Sequence, residues 1–267
     1  MKYPICIVSK NRADICCTHK LLDYEGIDYY YMVEPQDYDS YVDRFGKDKV
    51  VNILQNDKGI YYVRNFCIEW SKKNNHKYHW QCDDDLKLLI HRPMNPHKGT
   101  RDRHKLTNPM KIFDYIEDIA ERCVNYGGGC LTHDGFAFSK KRDIDLNKMI
   151  YCFQLLNNDI KARFQPDTSE DVDFSVRLLQ EGYVTMIFNT FSFTTPKSGS
   201  IKGGCNSSVD YQTKNGIDGR KRRNLKLCQT YPKWFVEYEK NGQSEIKPSK
   251  IWKTFTQRPM TTRDKLK

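Results

Sequence analysis

The chain contains no apolar run approaching the ~18 residues that a membrane-spanning helix needs. It also lacks a charged-then-apolar leader, since strand-like residues begin at Pro4. The expected location is therefore the cytoplasm, with no membrane partner. Ten cysteines are present, yet no two are spaced as CxxC and no His/Cys finger spacing occurs. That pattern excludes the common zinc frameworks. Several of these cysteines fall inside apolar patterns, where a reduced thiol behaves as a small hydrophobe. Gly127-Gly128-Gly129 is not followed by Gly-Lys-Ser/Thr, which excludes a P-loop there. The run is expected instead to let the backbone approach a neighbour closely.

What is present is polar but aromatic. Of 267 residues, 38% are hydrophobic and 29% charged, and 17 Tyr, 13 Phe and 4 Trp supply a core. The length allows one large domain or two small ones. The net charge of +10 is unevenly placed: residues 197–267 hold 17 of the 44 basic residues and only 6 of the 34 acidic ones. Such asymmetry suggests a polyanionic partner, nucleic acid first. A merely solvated tail is the alternative. The tail also carries Arg220-Lys221-Arg222-Arg223 and then Tyr231, Trp234, Phe235, Tyr238, Trp252 and Phe255. Those rings would either stack on bases or anchor the tail to the domain.

Along the chain, Tyr3 to Val8, Tyr29 to Val33, Lys49 to Leu54 and Lys77 to Cys82 read as strands. Residues 14–24, 35–45 and 59–75 between them read as helices, with Gly26 and Gly46 as stops. This alternation predicts an α/β fold with a mostly parallel sheet flanked by helices. In such sheets ligands bind beyond the carboxyl ends of the strands. The polar turn Ser9-Lys10-Asn11-Arg12 and the triplet Asp83-Asp84-Asp85 are both expected at that edge. Three adjacent carboxylates repel one another unless a positive charge sits among them. A hard divalent cation would serve, and a solvated acidic turn is the plain alternative.

Downstream, residues 92–109 read as a loop, serving as a lid or an acceptor-binding segment. Lys111 to Asn125 reads as an amphipathic helix, Leu131 to Ser139 as a strand, and Ile144 to Leu156 as strand or helix. Ser169 is expected to cap a helix running to Glu181. Glu170, Asp171 and Asp173 in its first turn either complement the helix dipole or serve chemistry. Val184 to Phe193 reads as the last strand. Residues 194–208 form a Gly/Ser-rich loop suited to phosphate, or a plain linker.

These features in this order resemble a glycosyltransferase of the GT-A (Rossmann-like) fold. Pro4 to Arg12 is similar to the donor-nucleotide turn of those enzymes. Gly59-Ile60-Tyr61-Tyr62-Val63-Arg64-Asn65 is similar to their Gly…Ala-Arg-Asn segment, with Val63 in place of Ala. Trp80-Gln81-Cys82-Asp83-Asp84-Asp85 resembles the DxD strand, and Ser169-Glu170-Asp171 the later acidic pair. The resemblance covers roughly residues 3–195, which makes 1–196 the expected catalytic domain. Residues 197–267 are then a flexible loop and a basic extension packed on it. More narrowly, the Trp-x-x-Asp-Asp-Asp strand with a basic tail is similar to the TET/JBP-associated glycosyltransferases, largely phage enzymes. This implies transfer of a sugar, arabinose or glucose, from a nucleotide sugar with UDP as the expected nucleotide. The implied acceptor is 5-hydroxymethylcytosine in DNA. If phage-encoded, the protein would work in the host cytoplasm, with no obligate protein partner.

By that resemblance Asp85 binds Mn²⁺ or Mg²⁺. Asp83 shares the metal or meets the ribose, and Asp84 meets the ribose or orients the site. Arg64 and Asn65 hold the donor, and Ser9 and Arg12 the nucleotide. Lys197, Lys202 and the Gly203-Gly204 loop close over the diphosphate. Asp171 is the expected base of an inverting enzyme, with Glu170 second; in a retaining enzyme the pair would orient substrates. His133 and Asp134 are candidates for acceptor or metal contact, or are structural. Arg220, Lys221, Arg222, Arg223 and the Arg92–Lys105 loop would grip DNA phosphates. Two other readings stand beside this one. A GT-A enzyme could act on polysaccharide, lipid or protein, or a metal-dependent nuclease or nucleotidyltransferase could use the same triplet.

Overall fold

The computed structural model describes residues 1–197, 200–204, 213–214, 217–262 and 264. Part of the expected Gly/Ser-rich loop, residues 198–199 and 205–208, lies outside them. The first half alternates strand and helix: β1 (Ile5–Val8), α1 (His19–Leu22), β2 (Tyr29–Val33), α2 (Tyr38–Phe45), β3 (Val50–Asn52), α3 (Ile60–Lys73) and β4 (Tyr78–Asp83). Next come β5 (Leu88–His91), β6 (Met94–Asn95), β7 (Thr100–Arg101), β8 (His104–Lys105), α4 (Met110–Arg122), β9 (Tyr126–His133) and α5 (Asp134–Ala137). Then follow β10 (Ile144–Leu146), β11 (Gln154–Asn157), α6 (Glu170–Gln180) and β12 (Val184–Thr194). The chain continues through α7 (Gly219–Thr230), β13 (Phe235–Lys240), β14 (Gln243–Pro248) and α8 (Ile251–Thr254).

The large sheet runs β3-β2-β1-β4-β11-β9-β12-β5-β8, with β10 beside β12. Its first four strands are parallel, as expected. Beyond them it is mixed rather than mostly parallel: β11 lies antiparallel between β4 and β9, and β5 is antiparallel to β12. The reason is topological. After the triplet the chain crosses to the far side of the sheet as β5 and returns through β9 and β11. Val8 pairs with Asp83 in parallel register, so the turn after β1 and the triplet leave the sheet at the same edge.

Strand periodicity sorts β4 into two faces. Tyr78, Trp80 and Cys82 enter one apolar core. Trp80 packs edge-on against Phe113 and Phe153, and its indole N–H donates to Glu117 at 2.9 Å. On the other face Gln81 donates to the carbonyl of Arg64 at 2.9 Å, tying α3 to the strand behind the site.

Three local expectations change. The helix over 14–24 shrinks to the single turn α1, because the preceding residues bond to the triplet. Cys17 N–H donates to the Asp84 carbonyl at 2.9 Å, and the Thr18 hydroxyl donates to the Asp83 carbonyl at 2.7 Å. The segment 92–109 is not a loose loop: β6 and β7 form a hairpin and β8 pairs with β5. Buried Arg101 fixes it, donating to the Arg92 carbonyl and to Asp143, both at 2.7 Å. Gly127, Gly128 and Gly129 lie inside β9. A Cβ on Gly127 would stand 2.7 Å from the Tyr183 Cβ, so the close neighbour is a side-chain layer of this protein.

The C-terminal elements pack on α6. Val172 and Val176 meet Leu227, Tyr231, Phe235 and Ile251, with Trp234, Trp252 and Phe255 against them. Most of the tail's rings therefore act as anchors, while Tyr238 remains exposed. No helix among the described residues is long and apolar enough to cross a membrane.

Gly127→Ala tests the close approach in β9. Overpacking against a Cβ that cannot swing aside is expected to cost about 1–3 kcal/mol. The measurement is a lower denaturant midpoint at unchanged slope; an unchanged midpoint would refute it.

Candidate active site

The triplet does not behave as three equal carboxylates. Asp84 is only 2% exposed, and both of its oxygens are taken. Oδ1 accepts from Arg12 Nη1 at 2.7 Å, and Oδ2 accepts from the Ser9 hydroxyl, which also meets the Tyr41 hydroxyl. Asp84 therefore cannot reach a ribose. Ser9 and Arg12, expected to meet the nucleotide, instead neutralise Asp84. Burial, the larger effect, still pushes its carboxyl above the ordinary range against the pull of Arg12.

Arg12 also reaches the loop before Gly204. Its Nε donates to the Lys202 carbonyl at 2.9 Å and its Nη2 to the Gly203 carbonyl at 3.3 Å. Gly204 N–H donates to the Lys10 carbonyl at 2.9 Å. Gly203 and Gly204 have φ of +77° and +64°, and a Cβ on either would fall 2.6 Å from Asn11 O or the Arg12 guanidinium. Only glycine lies down on this turn. The loop presents carbonyls to Arg12, while the Lys197 and Lys202 residues are exposed.

Asp83 and Asp85 remain open, with 40% and 22% of their side chains exposed. Both line a cavity of about 740 Å³ together with Asp171, His133 and Cys152. Burial, then the charges of Asp83 and Asp84, push the Asp85 carboxyl up to about 6 despite Arg12 at 3.5 Å. Among the described residues no three His, Cys, Asp or Glu side chains gather into a closed metal cage. Two hard oxygen ligands on an open cavity fit a magnesium- or manganese-like ion completed by substrate oxygens and water.

Arg64 is buried between the two acidic groups. Its Nη2 lies 3.4 Å from Asp83 Oδ1 and 3.9 Å from Asp171 Oδ1, and the guanidinium sits over the Phe164 ring at 5.6 Å. Its Nε and Nη1 have no hydrogen-bond partner. Asn65 stands apart from the cavity chemistry, exchanging two 2.9 Å hydrogen bonds with the Phe164 backbone. At the start of α6, burial pushes Asp171 up to about 7 against the opposing charge of Arg64, with Glu170 and Asp83 adding to the rise. Glu170 is held by Arg223 at 3.4 Å. Ser169 opens the helix without a capping bond, since its hydroxyl donates to Asn224 at 2.9 Å.

The family comparison now has a geometry to meet. A family model described as TET-Associated Glycosyltransferase matches residues 3–204. The chain belongs to that family. No curated protein matched it. The match ends at Gly204, where the loop docks on the first turn, so it spans every residue of the cavity named above except those of the C-terminal elements.

For this glycosyltransferase the remaining expected contacts divide. His133 lines the cavity while its Nδ1 accepts from Gly135 N–H at 3.2 Å, capping α5. Asp134 is an ion-pair hub: Arg92 Nε at 2.9 Å, Arg103 at 3.1 Å and the Ser192 hydroxyl at 2.7 Å occupy it. It is structural rather than a substrate contact. The basic run is largely engaged within the protein: Arg220 pairs with Glu245 at 2.9 Å, Arg222 with Asp167 at 3.2 Å, and Arg223 with Glu170, while the Lys221 residue is exposed. Helical periodicity places consecutive cations on different faces, so a four-residue run cannot all face solvent. The sequence reading missed Tyr41, Lys148, Cys152 and Trp252. Nothing in their local pattern separates them from core or surface residues.

Two measurements check this site. Folding raises the Asp85 pKa from ~3.9, so its ionisation costs stability, and that cost grows as pH rises through about 6. Asp85→Asn is expected to raise the thermal midpoint of the metal-free protein at pH 7 and to abolish the stabilisation by Mn²⁺. In the unaltered protein that stabilisation should fade below pH 6. Arg12→Ala leaves Asp84 buried and unpaired, with an expected loss of about 3–5 kcal/mol in denaturant titration.

Proposed function

We propose that the protein moves a sugar, arabinose or glucose, from a UDP-type nucleotide sugar to the hydroxymethyl group of 5-hydroxymethylcytosine in DNA. The observation that carries this reading is one cavity bearing Asp83, Asp85 and Asp171, with Arg64 buried between the first and the last. Asp85 and Asp83 would hold a divalent cation. When bound, that ion supplies positive charge for the departing diphosphate. Arg64 fixes both carboxylates and excludes their drift toward each other. Asp171, raised to about 7, takes the proton from the acceptor hydroxyl and keeps it as the sugar–oxygen bond forms. Glu170 is a poorer base because Arg223 holds it. A general base so placed favours inversion at the anomeric carbon.

A second acceptor class, polysaccharide, lipid or protein, draws support from the inward pairing of Arg220, Arg222 and Arg223. Family membership weighs against the nuclease and nucleotidyltransferase readings.

Incubation with Mn²⁺, a panel of nucleotide sugars and hydroxymethylated DNA, followed by digestion and mass measurement of the nucleosides, tests the reading. A gain of one sugar on hydroxymethylcytosine supports it; no gain with any donor refutes it. Asp171→Asn is expected to lower kcat by about 10²–10⁴-fold with donor affinity kept. The kcat of the unaltered enzyme should rise with pH through about 7, and a flat profile would remove Asp171 as the base.

A further inference from the structure

Beside the cavity the chain displays two bare aromatic rings. Phe136, on α5, is 66% exposed, and Phe138, just after it, is 60% exposed. Large rings left in water are costly, and a pair next to a catalytic cavity needs an occupant. Phe136 stands at the cavity edge, its ring 5.9 Å from that of His133. The rings are not on a loose loop. Ala137 between them is fully buried, Asp134 below them is clamped by Arg92, Arg103 and Ser192, and the Phe138 carbonyl accepts from Arg101 N–H at 3.2 Å. Rigid mounting suits a side chain that must push rather than adapt.

Cations surround the pair. Lys140, Lys141 and Arg142 follow directly, and Lys141 bonds the Gly99 carbonyl, which brings the exposed Lys98 turn alongside. The acidic residues near them are already engaged: Asp134 by two arginines, Asp143 by Arg101 and Asp145 by Lys140. A polyanion with flat apolar faces at its centre matches this surface, and duplex DNA has that chemistry. A hydroxymethylcytosine in a duplex must leave the stack to reach a carboxylate in a cavity. Apolar wedges inserted at a base step unstack it.

We infer that Phe136 and Phe138 form a wedge that enters duplex DNA beside the target and holds its base out toward the cavity. This rests on the DNA-acceptor reading above and adds to it the element that opens the duplex. The cations from Lys140 to Arg142 would hold the flanking phosphates, a role the internally engaged run at 220–223 does not fill.

The test uses the full chain, a duplex carrying one hydroxymethylcytosine beside 2-aminopurine, and the corresponding single strand. The wild type is expected to raise 2-aminopurine fluorescence on binding the duplex. Phe138→Ala should lose that rise and drop kcat/KM on the duplex by about tenfold or more while single-strand transfer is kept. Phe136→Ala should lose more on duplex than on single strand, and Phe136→Tyr, which keeps a ring, should restore the duplex rate. Thermal midpoints verify that the variants fold. Equal duplex-to-single-strand ratios in wild type and variants would overturn the wedge while leaving DNA as the acceptor. Absence of any transfer to DNA by the wild type would overturn both. Loss of binding to phosphatidylserine vesicles in the variants, with DNA transfer unchanged, would assign the rings to a membrane surface and overturn the wedge.

Discussion

The site depends on how one carboxylate of three is removed from play. Asp84 turns inward, where Arg12 and Ser9 neutralise it and Tyr41 closes behind. Without that ion pair, three adjacent negative charges would share one strand end and splay it. With it, only Asp83 and Asp85 face the cavity, a charge that a single divalent ion balances. The same guanidinium gathers the carbonyls of Lys202 and Gly203, so neutralising the triplet and docking the loop are one event. The Asp84 and Asp83 carbonyls in turn pull residues 17 and 18 out of a longer helix.

Arg64 plays a comparable part between the two halves of the cavity. A buried cation without enough partners would be costly, and its placement near Asp83 and Asp171 offsets that cost. It sits on α3, which Gln81 ties to β4 through the backbone, so its position is set by the sheet rather than by a loop. The carboxylates that would act on donor and acceptor are thereby referenced to the same rigid point.

The parallel half of the fold was legible because its signal is local. β2 and α3 follow from apolar spacing and stop residues, and the site edge follows from strand direction. The antiparallel half was not, since nothing local in Gln154–Asn157 says that it will insert beside β4. The same limit governs the site. Asp83, Asp85, Arg64 and Asp171 could be picked out as types at the right places. Which carboxylate would be silenced depends on Tyr41 and Ser9 meeting it from two other elements. Charge was the least faithful guide. The excess at Arg220–Arg223 suggested a phosphate grip, yet three of its cations found acidic partners across the C-terminal elements and α6. Charge counted along a chain does not show where it points.

The docking of Gly204 on Lys10 has a topological consequence. The segment matched by the family begins in β1 and ends hydrogen-bonded to the turn that follows β1. The sugar-transfer unit therefore closes on itself like a clasp, and the clasp lies at the cavity edge. Whatever chain follows must emerge there. An appendage added at that point meets the acceptor side without threading through the sheet. The α7–α8 elements have this position, with Trp252 reaching the cavity wall. A fold fastened this way can exchange its acceptor-facing part while the carboxylates and their arginines stay as they are.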